Sequence, residues 1–127
     1  MLVGLSIRDI VLIERLDLDL HKGLGVLTGE TGAGKSILLD SLGLCLGARA
    51  DSGLVRHGAD KGQVSAQFFI DADHPARLLL TTHELDEGDD LVLRRVIGKD
   101  GRSRAFVNDQ PISAGLMREL GELLVEI

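Results

Sequence analysis

The sequence predicts an α/β fold, and three observations carry the prediction. Short strand-like segments lead into the glycine-rich stretch GETGAGKS at residues 29–36. A run that is apolar on nearly every side follows that stretch directly, as a buried helix would. Most of what remains alternates apolar and polar residues with period two, the pattern of half-buried strands. The chain has 127 residues, which suits one domain with a real core.

Taken in order, Leu2 to Ile7 alternates loosely and reads as a strand. Glu14 to Leu20 alternates strictly, with Leu16, Leu18 and Leu20 on one face and Arg15, Asp17 and Asp19 on the other. That predicts a second, half-buried strand antiparallel to the first. His21-Lys22-Gly23 makes a turn, and Gly25 to Thr28 is a short apolar strand running into the glycine loop. Ile37 to Leu46 is the predicted buried helix, stopped by Gly47. Gly53 to Lys61 reads as a loop. Gln63 to Asp71 is a strand with Val64, Ala66, Phe68 and Ile70 on one face. His74 to His83 is a short helix, with Pro75 suited to its first turn. Leu91 to Ile97 and Arg102 to Asn108 are strands joined across Gly98-Lys99-Asp100-Gly101, where the Asp-Gly pair signals a hairpin. Ile112, Leu116, Leu120 and Leu124 recur every four residues and predict an amphipathic helix from about Ser113. The terminal LLVEI is apolar, which predicts a longer chain that continues into something covering it.

Composition narrows the function classes. Aromatics are three Phe, without Trp or Tyr, so the core must be aliphatic and a base-stacking single-strand binder is disfavoured. Net charge is −6, so any nucleic-acid contact must be local. The single Cys45 lies in an apolar run and reads as a buried, inert thiol in a reducing compartment. No segment has the length of a membrane span or the pattern of a signal peptide, which predicts a cytoplasmic protein.

Gly29-x-x-x-x-Gly34-Lys35-Ser36 is the P-loop, or Walker A, pattern. The glycines let the backbone turn tightly and present N–H groups to phosphate oxygens. The helix opening near Gly34 aims its positive end at the anion. Lys35 places a cation near the β- and γ-phosphates, where it serves catalysis as well as binding. Ser36 offers a hydroxyl to Mg²⁺. Glu30 and Thr31 contribute mainly backbone, and Gly32 and Ala33 are small enough for the loop to close. The expected cofactors are ATP and Mg²⁺, held by Gly29, Glu30, Thr31, Gly32, Ala33, Gly34, Lys35 and Ser36.

Two strands ahead of the P-loop strand are more than small-molecule kinases and many GTPases carry, and they resemble the start of an ABC-type ATPase. LSIRDIVLIERLDLDLHKGLGVLTGETGAGKSILLDSLGLCLGARAD is similar to the opening of the ATPase head of SMC-like proteins. Within it GETGAGKSILLDSLGLCLGARAD, together with the later GRSRAFVNDQPIS, resembles the branch that acts in bacterial double-strand-break repair. The resemblance covers essentially the whole chain. It implies an ABC-type P-loop fold, with residues 1–127 forming the N-terminal lobe of a split head that carries an antiparallel β subdomain. It also implies the partners: a C-terminal lobe with Walker B and the signature motif, a second head in an ATP-sandwiched dimer, and DNA in the nucleoid.

The cleavage machinery is absent from this sequence. Asp86-Glu87 follows polar residues rather than an apolar strand, so LDEGDD reads as a solvated loop. No SGG signature and no heptad region occur. The piece alone is expected to bind nucleotide weakly and hydrolyse it very slowly. Two other readings stay open: the ATPase subunit of another ABC-type system such as a transporter, and a mainly structural nucleotide-gated DNA clamp.

Arg94, Arg95, Lys99, Arg102 and Arg104 crowd onto the predicted hairpin, and in an acidic chain this basic strip is a candidate DNA contact. The competing reading is a charged, aggregation-resistant edge. Arg8, Arg49 and Arg56 are further candidates, since related heads place basic residues in these regions near nucleotide or DNA. The four His residues lack metal-site spacing.

Overall fold

A computed structural model of the chain describes residues 2–19, 32–85 and 90–124, with the side chains of its first helix described from Ile37 onward. The elements run β1 (Leu2–Ile10), β2 (Ile13–Asp19), α1 (Gly32–Cys45), β3 (Lys61–Phe69), α2 (Pro75–Thr82), β4 (Asp90–Gly98), β5 (Ser103–Val107), β6 (Gln110–Ile112) and α3 (Ala114–Leu124). The strands form one sheet of order β2-β1-β3-β4-β5-β6, every neighbouring pair antiparallel. The predicted turn at 21–23, the predicted strand at 25–28 and the Asp86-Glu87 segment lie outside the described residues.

Strand register sorts the side chains onto two faces. One inner row runs Leu18, Leu5, Ala66, Leu93, Val107 across five strands. The next runs Leu16, Ile7, Val64, Arg95, Ala105, Ile112 across all six. The outer row between them runs Asp17, Ser6, Ser65, Arg94, Phe106, Pro111. α1 crosses the inner face over β1, β3 and β4, while α3 covers β5 and packs on α2. The core is aliphatic as expected: Ile7, Val64, Ala66, Leu93, Ile97, Val107, Met117 and Leu120 are all fully enclosed.

Local chemistry fixes most boundaries. His74 caps α2 by accepting from the Ala76 N–H at 3.0 Å, with Pro75 in the first turn. Ser113 caps α3 through the Leu116 N–H, also at 3.0 Å. The β4–β5 hairpin turns at Gly101, whose φ of +87° suits glycine. Between β5 and β6 the two turn residues Asn108 and Asp109 both have positive φ, 48° and 67°, the requirement of a primed two-residue hairpin. Asn108 also stands in for strand backbone: its side-chain oxygen accepts from the Val92 N–H at 3.0 Å, and its own N–H donates to the Val92 carbonyl at 2.9 Å.

Three expectations need correction. α1 opens at Gly32, two residues before the expected start. It is not enclosed all round by the described residues: Leu38, Ser41, Leu44 and Cys45 are buried against the sheet, whereas Leu39 is half exposed. The segment expected as a loop over 53–61 is tied down. Residues Ser52–Leu54 form a single 3-10 turn, and Val55 bridges Ile10. The Leu54 carbonyl takes the N–H of Val11, a β-branched residue held at φ 52°.

Candidate functional site

Of the eight phosphate-loop residues, Gly29, Glu30 and Thr31 lie outside the described residues. Gly32, Ala33, Gly34, Lys35 and Ser36 form the opening of α1, so the helix starts inside the motif. The first four N–H groups of any α-helix have no partner within it, and together they carry roughly half a positive charge. No acidic residue in the first turn of α1 neutralises that end. The backbone at that end therefore suits an anion.

The other end of α1 is held differently. Its last turn contains no basic residue of its own. The cation comes from the sheet. Arg95 of β4 sits in the aliphatic inner row, 3% exposed. Its Nη1 donates to the carbonyls of Leu44 and Ala48, each at 3.0 Å, and its Nη2 donates to Ser103 Oγ at 3.2 Å. Its Nε has no acceptor among the described residues. Beside it the Cys45 thiol donates to the Val64 carbonyl at 3.3 Å. Burial pushes that thiol up to about 12, only partly offset by the Arg95 charge, so Cys45 is an inert core group.

Arg95 is thus a correction to the basic strip. Period-two alternation puts Arg94 and Arg95 on opposite faces, and the Arg95 charge is spent on helix carbonyls beneath the sheet. The remaining four positions are on the open side or at its turn. Arg94 lies over the Phe106 ring at 4.0 Å and pairs with Asp109 at 3.6 Å. Lys99 pairs with Asp60 at 3.0 Å and Arg102 with Asp100 at 3.8 Å, all exposed. Arg104 is exposed on β5.

Of the further candidates, Arg8 pairs with Asp17 at 2.9 Å on the outer face. A hydrogen bond from Ser6, then one from Arg8, lowers the pKa of the Asp17 carboxyl. Arg56 reaches Asp9 at 3.8 Å and Glu14 at 3.9 Å, joining the 3-10 turn to the β1–β2 turn. Arg49 is exposed. Sequence reasoning missed the structural role of Arg95. The signal was available, because an arginine at a core-facing position of a strand needs acceptors, and carbonyls at the end of a nearby helix supply them.

The profile of the AAA domain family matches residues 5–108, and the chain belongs to that family. Its fold is that of SMC ATPase heads. A solved chain described as "Structural biochemistry of ATP-driven dimerization and DNA stimulated activation of SMC ATPases" superposes with TM-score 0.75 at 20% identity, covering 96% of this chain and 78% of that one. An Smc head bound to the C-winged helix domain of ScpA superposes with TM-score 0.71 at 18% identity, over 98% of this chain and 41% of that one. In sequence the chain resembles RecN: it is 49% identical to the DNA repair protein RecN of Vibrio cholerae serotype O1 over all its 127 residues. It spans 23% of that relative's length.

Proposed function

We propose that this chain is the nucleotide-binding lobe of an SMC-family ATPase acting in DNA double-strand-break repair. The observation that carries the reading is a helix opening inside GETGAGKS with no acidic residue in its first turn, in a chain similar to RecN along its whole length. Backbone N–H groups of residues 29–34 and Lys35 bind the phosphates of ATP, and the Ser36 hydroxyl holds Mg²⁺. A metal held there would neutralise phosphate charge. This chain's residues bind and orient the nucleotide, and no Walker B pair or signature motif that would serve the attacking water occurs in its sequence. Cleavage then needs a C-terminal lobe of the same head and a second head.

The outer face contributes DNA phosphate contacts from Arg94, Lys99, Arg102 and Arg104. The carboxylate partners of Arg94, Lys99 and Arg102 are exposed, and a polyanion can displace them, since such surface pairs are worth at most about 1 kcal/mol. In the full-length protein, Lys35→Ala is expected to weaken ATP binding at least tenfold by equilibrium titration, and unchanged binding sinks the nucleotide reading. Reversing Arg102 and Arg104 to Glu is expected to weaken DNA binding and flatten its salt dependence. Unchanged affinity and slope would return these residues to the role of a charged sheet edge.

A further inference from the structure

We propose that Arg95 is a positioning residue for nucleotide binding: it fixes the rear of α1 so that the amides at its front stay where phosphate oxygens require them. The proposal rests on the reading that the N-terminus of α1 binds nucleotide phosphate.

Five members of the inner row Leu16, Ile7, Val64, Arg95, Ala105, Ile112 are aliphatic, and the sixth is a cation buried nearly as deeply as its neighbours. Removing a guanidinium from water is costly unless its donors are used. Here both Nη groups are used, and Nε alone lacks an acceptor among the described residues. Two bonds reach carbonyls at and just beyond the end of α1, and a third ties the same guanidinium to Ser103 of the next strand. The fork therefore fastens the helix to two strands at once. Only arginine presents several donors in one rigid plane, so lysine at this position would hold fewer acceptors.

The neighbouring contacts show that this end is a fixed point. A Cβ on Gly121 of α3 would stand 2.3 Å from the Leu46 carbonyl oxygen, and one on Gly47 would stand 2.4 Å from the Arg118 Cα. Backbone meets backbone there, so α3 blocks movement from one side while Arg95 and the Cys45 thiol hold from the sheet side. At the front, by contrast, the phosphates need several N–H groups within a few tenths of an ångström of their places.

Lever geometry links the two ends. α1 has 14 residues, about 20 Å of helix at 1.5 Å per residue. A tilt of about 5° around its midpoint moves the first turn by about 0.9 Å. Misplacement on the order of 1 Å is enough to cost a preorganised site up to about a hundredfold. Loss of Arg95 frees two buried carbonyls, and a helix that swings to find water for them carries its phosphate amides with it.

The test uses the full-length protein and a fluorescent ATP analogue, titrated well below the melting midpoint where circular dichroism shows full folding. Arg95→Met is expected to raise the nucleotide Kd about tenfold or more, and Arg95→Lys about threefold. A purely structural arginine would lower the melting midpoint and leave the Kd of the folded protein within twofold of wild type, and that result overturns the proposal. Should Arg95→Met fail to fold, Arg95→Lys decides by the same criterion. Lys35→Ala, measured alongside, separates the two readings. If it abolishes binding while both Arg95 variants bind normally, positioning fails alone; if it binds normally, the phosphate-helix reading fails and positioning falls with it.

Discussion

Arg94 and Arg95 are consecutive residues of one strand and live in opposite environments. Arg94 stands on the outer face, stacked over Phe106 and paired with an exposed carboxylate. Arg95 lies under the sheet with its charge turned onto the end of α1. The outer face can lose a contact to water and exchange it for another; the inner face cannot, because nothing there replaces a missing donor. Identical chemistry is therefore interchangeable surface on one side and framework on the other. The pKa of Arg95 is lowered by burial, and the guanidinium remains charged at any ordinary pH.

The comparison is sharpest if the two arginines differ in what their removal costs. Arg95→Met strands the Leu44 and Ala48 carbonyls in the core, and chemical denaturation is expected to show a loss of about 3 kcal/mol. A loss below about 1 kcal/mol would mean that water reaches those carbonyls and that the inner face is less closed than the rows imply. Next in size is Gly121→Ala, which drives a Cβ into the Leu46 backbone. Despite the better helix propensity of Ala, about 2 kcal/mol of destabilisation is expected by thermal melting. No loss would show that α3 can back away from α1.

Cys45 gives the inner face a pH signature. Its folded pKa, raised from an ordinary 9.0 to about 12, means that the unfolded chain releases the thiol proton first. Stability from this group is complete below the ordinary value and falls as pH rises through the window between the two. One unit above the ordinary value, the loss is about 1.4 kcal/mol. Cys45→Ala removes this slope, and identical pH profiles for the two proteins between pH 9 and 11 would contradict the buried-thiol assignment. The smallest effect belongs to the outer face: Arg94→Ala is expected to cost about 0.5 to 1 kcal/mol, read from the denaturation midpoint. A cost as large as that of Arg95 would break the distinction between the faces.

Much of the molecule was legible because its signals are short-range. The alternation in 63–71 named Val64, Ala66, Phe68 and Ile70 as core, and all four are buried. The Asp-Gly pair named the β4–β5 hairpin, and Pro75 and Ser113 marked the starts of two helices. β6 was not legible. Three residues including a proline carry too little pattern to read as a strand, and only the pairing of Gln110 and Ile112 with Val107 and Ala105 makes them one. The basic strip was half legible: charge clustering was visible in the sequence, but sorting it needed the face assignment of each arginine.

By itself the sequence determined the phosphate motif, the helix it opens, the antiparallel character of the sheet and the aliphatic core. Each of these follows from residue type and spacing within about ten neighbours. The tertiary structure decided what the sequence leaves degenerate: that β3 pairs with β1, that α3 seats its Gly121 on the end of α1, and that Arg95 belongs to the helix rather than to solvent. Those outcomes depend on contacts between residues far apart in the chain, where burial and hydrogen-bond satisfaction, not local preference, select the arrangement.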